Sequence, residues 1–228
     1  MKEVYQRLVS HFGLPKDNEK HFFNLTYSAL SIAIYGTSEL NKTKERYILF
    51  LCKFAFENFF KENLKKEHIL FFHKASIPKN YKSFFLKNGK TSEIKKVIGG
   101  EFRKINTYLD LKGHKIWFVD YRTIDEEIDK MIKTYNNSEK TITDISRVFL
   151  EGFRIHPFMD GNGRTFRIIF DLLLLKNNFY PSLFNLIYNK YKINFIKIIN
   201  YYIMVDEKKG LEMFVKNIED IYKFSYFS

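Results

Sequence analysis

The feature that most limits the fold is a shortage of backbone breakers. Only 10 glycines and 4 prolines punctuate 228 residues, and apolar side chains recur at helical spacing between them. Few breakers and a long 3.6-residue period predict a mostly helical chain. Helical patterns run over Lys2–His11, His21–Ile34, Lys44–Leu64 and Glu67–Ala75. The third offers Tyr47, Ile48, Phe50, Leu51, Phe54, Phe56, Phe59 and Phe60, a broad face to bury. Pro78 and the stretch Asn80–Gly89 then break the pattern. Helix is expected again over Thr123–Tyr135, with Thr123 as N-cap and three acidic residues in the first turn. Further helices are expected over Thr141–Arg154, Arg164–Leu175, Ser182–Val205 and Leu211–Phe224.

One segment reads differently. Two β-prone runs, Lys104–Leu109 and Ile116–Val119, flank a turn that contains Gly113, which predicts a hairpin. A lone hairpin is marginal in water, so it must lean on the helices. With 45% hydrophobic residues, 25 of the 228 being Phe and 15 Tyr, the chain can fill one core. The fold class is therefore mainly α with one β-hairpin, in one structural domain.

Composition removes several function classes. The single cysteine, Cys52, lies in an apolar run. It excludes a disulfide scaffold and reads as a buried hydrophobe in a reducing compartment. Residues Met1 to Lys20 hold no sustained apolar segment, and charges interrupt every apolar stretch before membrane-spanning length. A cytoplasmic protein without a membrane partner is expected, with delivery into another cell left open. The net charge of +12 invites a nucleic-acid reading. The lysines are scattered, however, without a compact basic block, and Lys, Asn, Ile, Phe and Tyr are abundant together, as AT-rich codons would give. A basic nucleic-acid-binding helical protein is the competing class, and nucleic acid the disfavoured partner.

The chemistry concentrates in His156-Pro157-Phe158-Met159-Asp160-Gly161-Asn162-Gly163-Arg164-Thr165-Phe166-Arg167. Pro157 disfavours helix at His156 and ends the preceding helix there. Gly161 and Gly163 permit a tight turn and close approach of a ligand. A strong helical pattern follows at once, so backbone N–H groups stand at the positive end of a helix, which is an anion site. No lysine follows the glycines, so this is not the Gly-Lys-Ser/Thr phosphate loop. Arg164, Arg167 and Asp171 share one stripe of that helix, either as a structural charge cluster or as the wall of a phosphate pocket. His156 can serve as a general base. Asp160 can anchor Mg²⁺, which binds through one or two carboxylates plus phosphates. Asn162, Arg164 and Arg167 supply donors to phosphate oxygens. Phosphoryl-group transfer needs those parts.

The segment resembles the Fic family motif, His-x-Phe-x-Asp/Glu-Gly-Asn-Gly-Arg-x-x-Arg, with every specified position present. Upstream, Gly100-Glu101-Phe102-Arg103 is similar to the residues that lead into that family's target-binding flap. The resemblance implies a Fic-type helical bundle with a core over 44–205, an N-terminal helical extension over 1–43 and a C-terminal helix over 206–228. It implies ATP as substrate and Mg²⁺ as cofactor, with AMP passed to a protein hydroxyl. His156 would be the base and Asp160 the metal ligand. Gly161, Asn162 and Gly163 would cradle the α- and β-phosphates, and Arg164 and Arg167 would hold the β- and γ-phosphates. The hairpin, including Asn106, Thr107, Tyr108 and Leu109, would pair with an extended segment of the target. A related subfamily has Lys where Gly163 stands and acts as a kinase; Gly163 argues for AMP transfer. Transfer of another phosphate-linked group, such as UMP or phosphocholine, stays open on the same loop.

Many Fic proteins carry an inhibitory helix, Ser/Thr-x-x-x-Glu-Gly/Asn, whose Glu pairs with the second motif arginine. The best match is Ser31-Ile32-Ala33-Ile34-Tyr35-Gly36, with Tyr35 in place of Glu. The site is then uninhibited, or a separate protein supplies the Glu, or regulation differs. Alternatively Ser31–Gly36 is simply a helix C-terminus with Gly36 as its cap. Self-association stays open.

Overall fold

The computed structural model describes residues 16–36, 40–78, 81–87, 91–111, 114–179, 181 and 195–226. The chain runs through α1 (Lys16–Tyr35), α2 (Lys42–Phe54), a π-helical turn (Ala55–Phe59) and α3 (Lys66–Ser76). Next come two hairpins, β1 (Lys82–Lys87) with β2 (Thr91–Lys96) and β3 (Tyr108–Leu111) with β4 (His114–Trp117). A 3₁₀ turn (Tyr121–Thr123), α4 (Ile124–Asn136), α5 (Ile142–Ile155), α6 (Asn162–Lys176), a helical stretch over 195–204 and α7 (Glu207–Tyr226) complete it. The expected helix Lys2–His11 and residues 182–194 of the expected helix Ser182–Val205 lie outside the described residues.

Helix α6 is the axis of the molecule. Every residue from Ile168 to Leu175 is buried, Asp171 included, as expected for a helix apolar on nearly all sides. Helices α1, α3 and α5 pack directly against it. Helix α5 begins with a capping box: the Thr141 hydroxyl accepts from the Asp144 N–H, and the Asp144 carboxylate accepts from the Thr141 N–H at 3.0 Å. Its outer face is tied by charge. Arg154 pairs with Glu151 in α5 and Glu127 in α4, and the Tyr202 hydroxyl donates to Glu151. Between α2 and α3, the Asn136 amide bonds both backbone groups of Leu64, at 3.1 and 2.9 Å. These links tie α5 to α4 and to the 195–204 stretch, and the end of α4 to the segment before α3.

Two elements depart from the sequence reading. The pattern Lys44–Leu64 is not one helix, because the ladder widens at Ala55–Phe59, where the Phe60 N–H donates to the Ala55 carbonyl at 2.9 Å. The widened turn rotates the face so that Ala55, Phe56 and Phe59 are all buried. The break assigned to Asn80–Gly89 is instead the start of the first hairpin, with Phe84 opposite Ile94. Its signal was present: Asn88-Gly89 between β-prone runs is a strong hairpin cue. The mainly α class holds, as does the expected hairpin, though its strands are displaced toward the turn, with Tyr108 opposite Trp117 and Leu109 opposite Ile116. Cys52 is buried with its thiol pKa pushed up by burial, as an inert core residue should be. No helix among the described residues is long and apolar enough to cross a membrane.

Candidate active site

Helix α5 stops at His156, which adopts the left-handed conformation with φ 49°. That conformation costs a non-glycine residue about 1–2 kcal/mol, so something must hold it. Arg103 does. Its side chain is fully buried, and its Nε donates to the His156 carbonyl at 2.8 Å. The same guanidinium donates to the carbonyls of Ile105 at 2.8 Å, Ile155 at 3.3 Å and Val119. The Arg103 backbone N–H donates to the Pro157 carbonyl at 2.8 Å. One cation thus joins the end of α5, the loop after it and both bases of the β3–β4 hairpin. Burial lowers its pKa to about 10, so it remains cationic at pH 7.

The His156 ring stacks on Phe118 at 3.9 Å and 8°, which brings the hairpin base onto the candidate catalytic base. Its Nδ1 is enclosed, which leaves Nε2 to face a substrate. Burial, with the Arg103 cation behind it, pushes the imidazole pKa down to about 4. At pH 7 it is neutral, the form that accepts a proton.

The loop that follows is tightly fastened. Phe158 is wholly buried and stacks on His73 at 3.6 Å. The Asn162 side chain accepts from the Phe158 N–H and donates to the Phe158 carbonyl, both at 2.9 Å. The Asn162 amide therefore shapes the loop, and its route to a phosphate is its backbone N–H in the first turn of α6. His73, fully buried in α3, fixes the loop from behind. Its Nδ1 accepts from the Gly100 N–H at 2.8 Å, so the proton sits on Nε2 and is donated to the Asp160 carbonyl at 2.9 Å. Burial pushes the His73 pKa down to about 4, consistent with a neutral ring.

Asp160 stands at the mouth of this loop. One carboxylate oxygen accepts from the Gly161 N–H at 2.5 Å, the other from the Tyr81 hydroxyl at 2.9 Å. Gly161, with φ 81°, is the N-cap of α6, and a side chain there would meet Ile77 at 2.7 Å. Gly163 is different: a Cβ would meet only Phe153 at 3.6 Å and Arg167 at 3.8 Å, ordinary contacts. Packing within the chain therefore does not demand glycine at 163. Arg164 donates to the Ser76 carbonyl at 2.9 Å and lies over the Tyr81 ring at 5.7 Å.

His156, Met159, Asp160, Gly161, Asn162, Gly163, Arg164 and Arg167 line one cavity of about 270 Å³. Every motif residue assigned from the sequence is on its wall. A base, a carboxylate, two guanidinium groups and the N-terminus of a helix converge there, a set suited to a polyphosphate and a hydroxyl nucleophile. The donor set fits a hydrated Mg²⁺ held by one protein carboxylate and by phosphates, because an ionised carboxylate has roughly four lone-pair sites to share between hydrogen-bond donors and a cation. A larger cavity of about 560 Å³ lies beside Arg147, Tyr202 and Leu211, where Arg154 pairs with Glu127 and Glu151.

Ser31, Tyr35 and Gly36 are not on the wall of the motif cavity. Helix α1 packs on α6, but Tyr35 meets Lys44, whose ammonium lies 4.9 Å from its ring. Gly36 has φ 74°, and its N–H donates to the Ile32 carbonyl at 2.9 Å, the geometry of a helix C-terminus. At the base of the β3–β4 hairpin, Asn106 accepts from the Tyr121 N–H at 2.9 Å, and the Thr107 carbonyl accepts from the Phe118 N–H at 3.2 Å. Tyr108 and Leu109 begin β3, with Leu109 exposed. Sequence reading missed His73, Tyr81 and Phe118, and saw Arg103 only as part of a motif. His73 and Tyr81 act on Asp160 from 87 and 79 residues away, and no local spacing announces that.

A family model described as Fic/DOC family matches residues 63–174. No curated protein matches the chain by sequence. Among solved structures, a Fic family protein from Desulfovibrio desulfuricans matches with TM-score 0.57 at 12% identity, covering 100% of this chain and 73% of that one. A Fic-domain-containing signaling protein from Bacteroides thetaiotaomicron matches with TM-score 0.55 at 13% identity, over 97% and 93% of the two chains. Fic-1 from C. elegans matches with TM-score 0.52 at 16% identity, over 98% and 70%. These structural likenesses extend the fold beyond the matched segment.

Proposed function

Residues 63–174 are a domain of the Fic/DOC family, and from that premise we propose that the protein transfers AMP from ATP to a Ser, Thr or Tyr hydroxyl of a target protein. The observation that carries the reading is the shared cavity: His156, neutral at pH 7, faces the same space as Asp160, Arg164, Arg167 and the amino end of α6.

The parts divide the work. The first-turn N–H groups of α6 and the space beside Gly163 receive the α- and β-phosphates. Arg164 and Arg167 hold the β- and γ-phosphates, and planar guanidinium groups suit that task. Asp160 would hold Mg²⁺, which when bound neutralises phosphate charge. His156 accepts the proton of the target hydroxyl as its oxygen bonds to the α-phosphorus. The bond from that phosphorus to the α–β bridging oxygen breaks, and pyrophosphate leaves. The β3–β4 hairpin receives an extended target segment by strand addition, and Phe118 at its base couples that docking to His156.

Among the described residues, no glutamate lines the motif cavity. The proposal therefore includes appreciable basal activity, self-labelling among it, without release of an internal inhibitor. The test uses labelled ATP with cell lysate and purified protein. Transfer should vanish in His156→Ala while ATP binding survives, because the base acts on the target hydroxyl. Near wild-type labelling by that variant would remove His156 from the mechanism.

A further inference from the structure

Tyr81 belongs to none of the family-like motif residues, yet it touches two of them. Its hydroxyl donates to Asp160 at 2.9 Å, and its ring faces the Arg164 guanidinium at 5.7 Å. Its own backbone is held on both sides. The Tyr81 N–H donates to the Pro78 carbonyl at 3.1 Å, and the Tyr81 carbonyl accepts from the Val97 N–H at 3.0 Å. That second bond is the rung just before the Lys82–Lys96 pair of the β1–β2 ladder. Tyr81 is thus anchored at the base of the first hairpin.

The geometry on Asp160 is two-sided. The Gly161 N–H takes one oxygen and the Tyr81 hydroxyl the other. A carboxylate held at one oxygen still rotates about its terminal bond, whereas one held at both has a fixed plane. Arg164 is likewise held twice, by the Ser76 carbonyl at 2.9 Å and by the Tyr81 ring. Ser76 closes α3 and Tyr81 opens the hairpin, so both restraints come from one short connection. Carboxylates that bind metals are commonly oriented by such outer hydrogen bonds.

We propose that Tyr81 is a positioning residue: its hydroxyl sets the plane of the Asp160 carboxylate for a divalent cation, and its ring sets Arg164 for the polyphosphate. The proposal rests on the assignment of Asp160 as the metal-holding carboxylate, and the experiment separates the two. The hydroxyl and the ring make different predictions, so two variants divide them. Tyr81→Phe keeps the ring and loses the donor. Tyr81→Leu loses both.

Mn²⁺ is titrated into the full chain with ATP and followed by electron paramagnetic resonance, and ATP binding in EDTA is measured by calorimetry. Thermal midpoints accompany both as a check that each variant is folded. Tyr81→Phe should weaken Mn²⁺ binding about tenfold, the usual effect of losing an outer partner of a metal ligand. Tyr81→Leu should weaken Mn²⁺ binding at least as much and also lower ATP affinity in EDTA, a loss that Phe repairs. A merely structural role would not split metal and nucleotide affinity in this way. If Asp160→Ala abolishes Mn²⁺ binding while Tyr81→Phe binds Mn²⁺ as tightly as wild type or more tightly, the positioning role is refuted. If Asp160→Ala leaves Mn²⁺ binding unchanged, the metal assignment itself fails and the proposal falls with it.

Discussion

Replacing Arg103 with methionine should do more damage to function than to folding, and the structure gives both magnitudes. Methionine replaces the arginine stem with an unbranched apolar chain, shorter than arginine, and donates nothing. Four carbonyls lose a partner: His156, Ile105, Ile155 and Val119. Ile105 is exposed, so water can reach its carbonyl, whereas Ile155 is fully buried. Counting the two inner acceptors, His156 and Ile155, at about 1–3 kcal/mol each gives roughly 2–6 kcal/mol. Relief from burying a guanidinium offsets part of that. A net loss of about 3 kcal/mol corresponds to a thermal midpoint lowered by about 6–12 °C for a chain of this size. His156 also loses the bond that holds it at φ 49°, and a reacting group misplaced by about 1 Å can cost about a hundredfold in rate. Transfer measured at a temperature where the variant is folded should therefore drop at least tenfold. Arg103→Lys, with one compact donor, should recover only part of either loss. Thermal denaturation followed by circular dichroism, paired with label transfer, reads both. A midpoint within about 2 °C of wild type together with unchanged transfer would show that Arg103 does not hold His156 in place.

Other expectations concern the loop, the base and the charge. Gly161→Ala should destabilise the fold by about 1–2 kcal/mol, since φ 81° is strained for alanine and its Cβ would press on Ile77 at 2.7 Å. Gly163→Ala should leave chemical denaturation unchanged or slightly better, because alanine favours helix by about 1 kcal/mol, while ATP affinity measured by calorimetry falls. His156 has a folded pKa of about 4 against 6.5 unfolded, so the unfolded chain binds more protons between those values. Stability should fall on acidification from about pH 6.5 toward 4, and His156→Gln should lessen that slope in pH-resolved denaturation. Binding to duplex DNA, measured by fluorescence anisotropy, should be weak, sequence-blind and steeply salt-dependent despite the charge of +12. Tight selective binding at physiological salt would revive the nucleic-acid reading.

The parts legible in the sequence were those whose physics is local. A helix buried on nearly all sides, a Gly-rich turn before it and a histidine ahead of a proline are adjacent in the chain, and their roles follow from neighbours. The π-helical turn at Ala55–Phe59 was not legible, because an unbroken apolar stripe looks the same in either ladder. The β1–β2 hairpin was hidden behind Pro78, although Asn88-Gly89 announced it. His73, Tyr81 and Phe118 converge on the loop through tertiary packing alone, and Phe118 was read simply as a β-prone residue. Asn162 shows a subtler limit. Its place in the motif suggested a side-chain phosphate donor, yet its amide is engaged with both backbone groups of Phe158. Residue type marks its importance, and the fold of the loop decides which of its atoms do what.

In the proposed reaction AMP, and not a terminal phosphoryl group, passes from ATP to a protein hydroxyl with His156 as base. Parallel reactions with ATP labelled at the α- or the γ-phosphorus, using wild type and His156→Ala, test it most directly. Label should reach protein from the α position alone, with pyrophosphate released in step with it, and neither should occur with His156→Ala. Label arriving from the γ position, or α label that persists in His156→Ala at the wild-type rate, would contradict it.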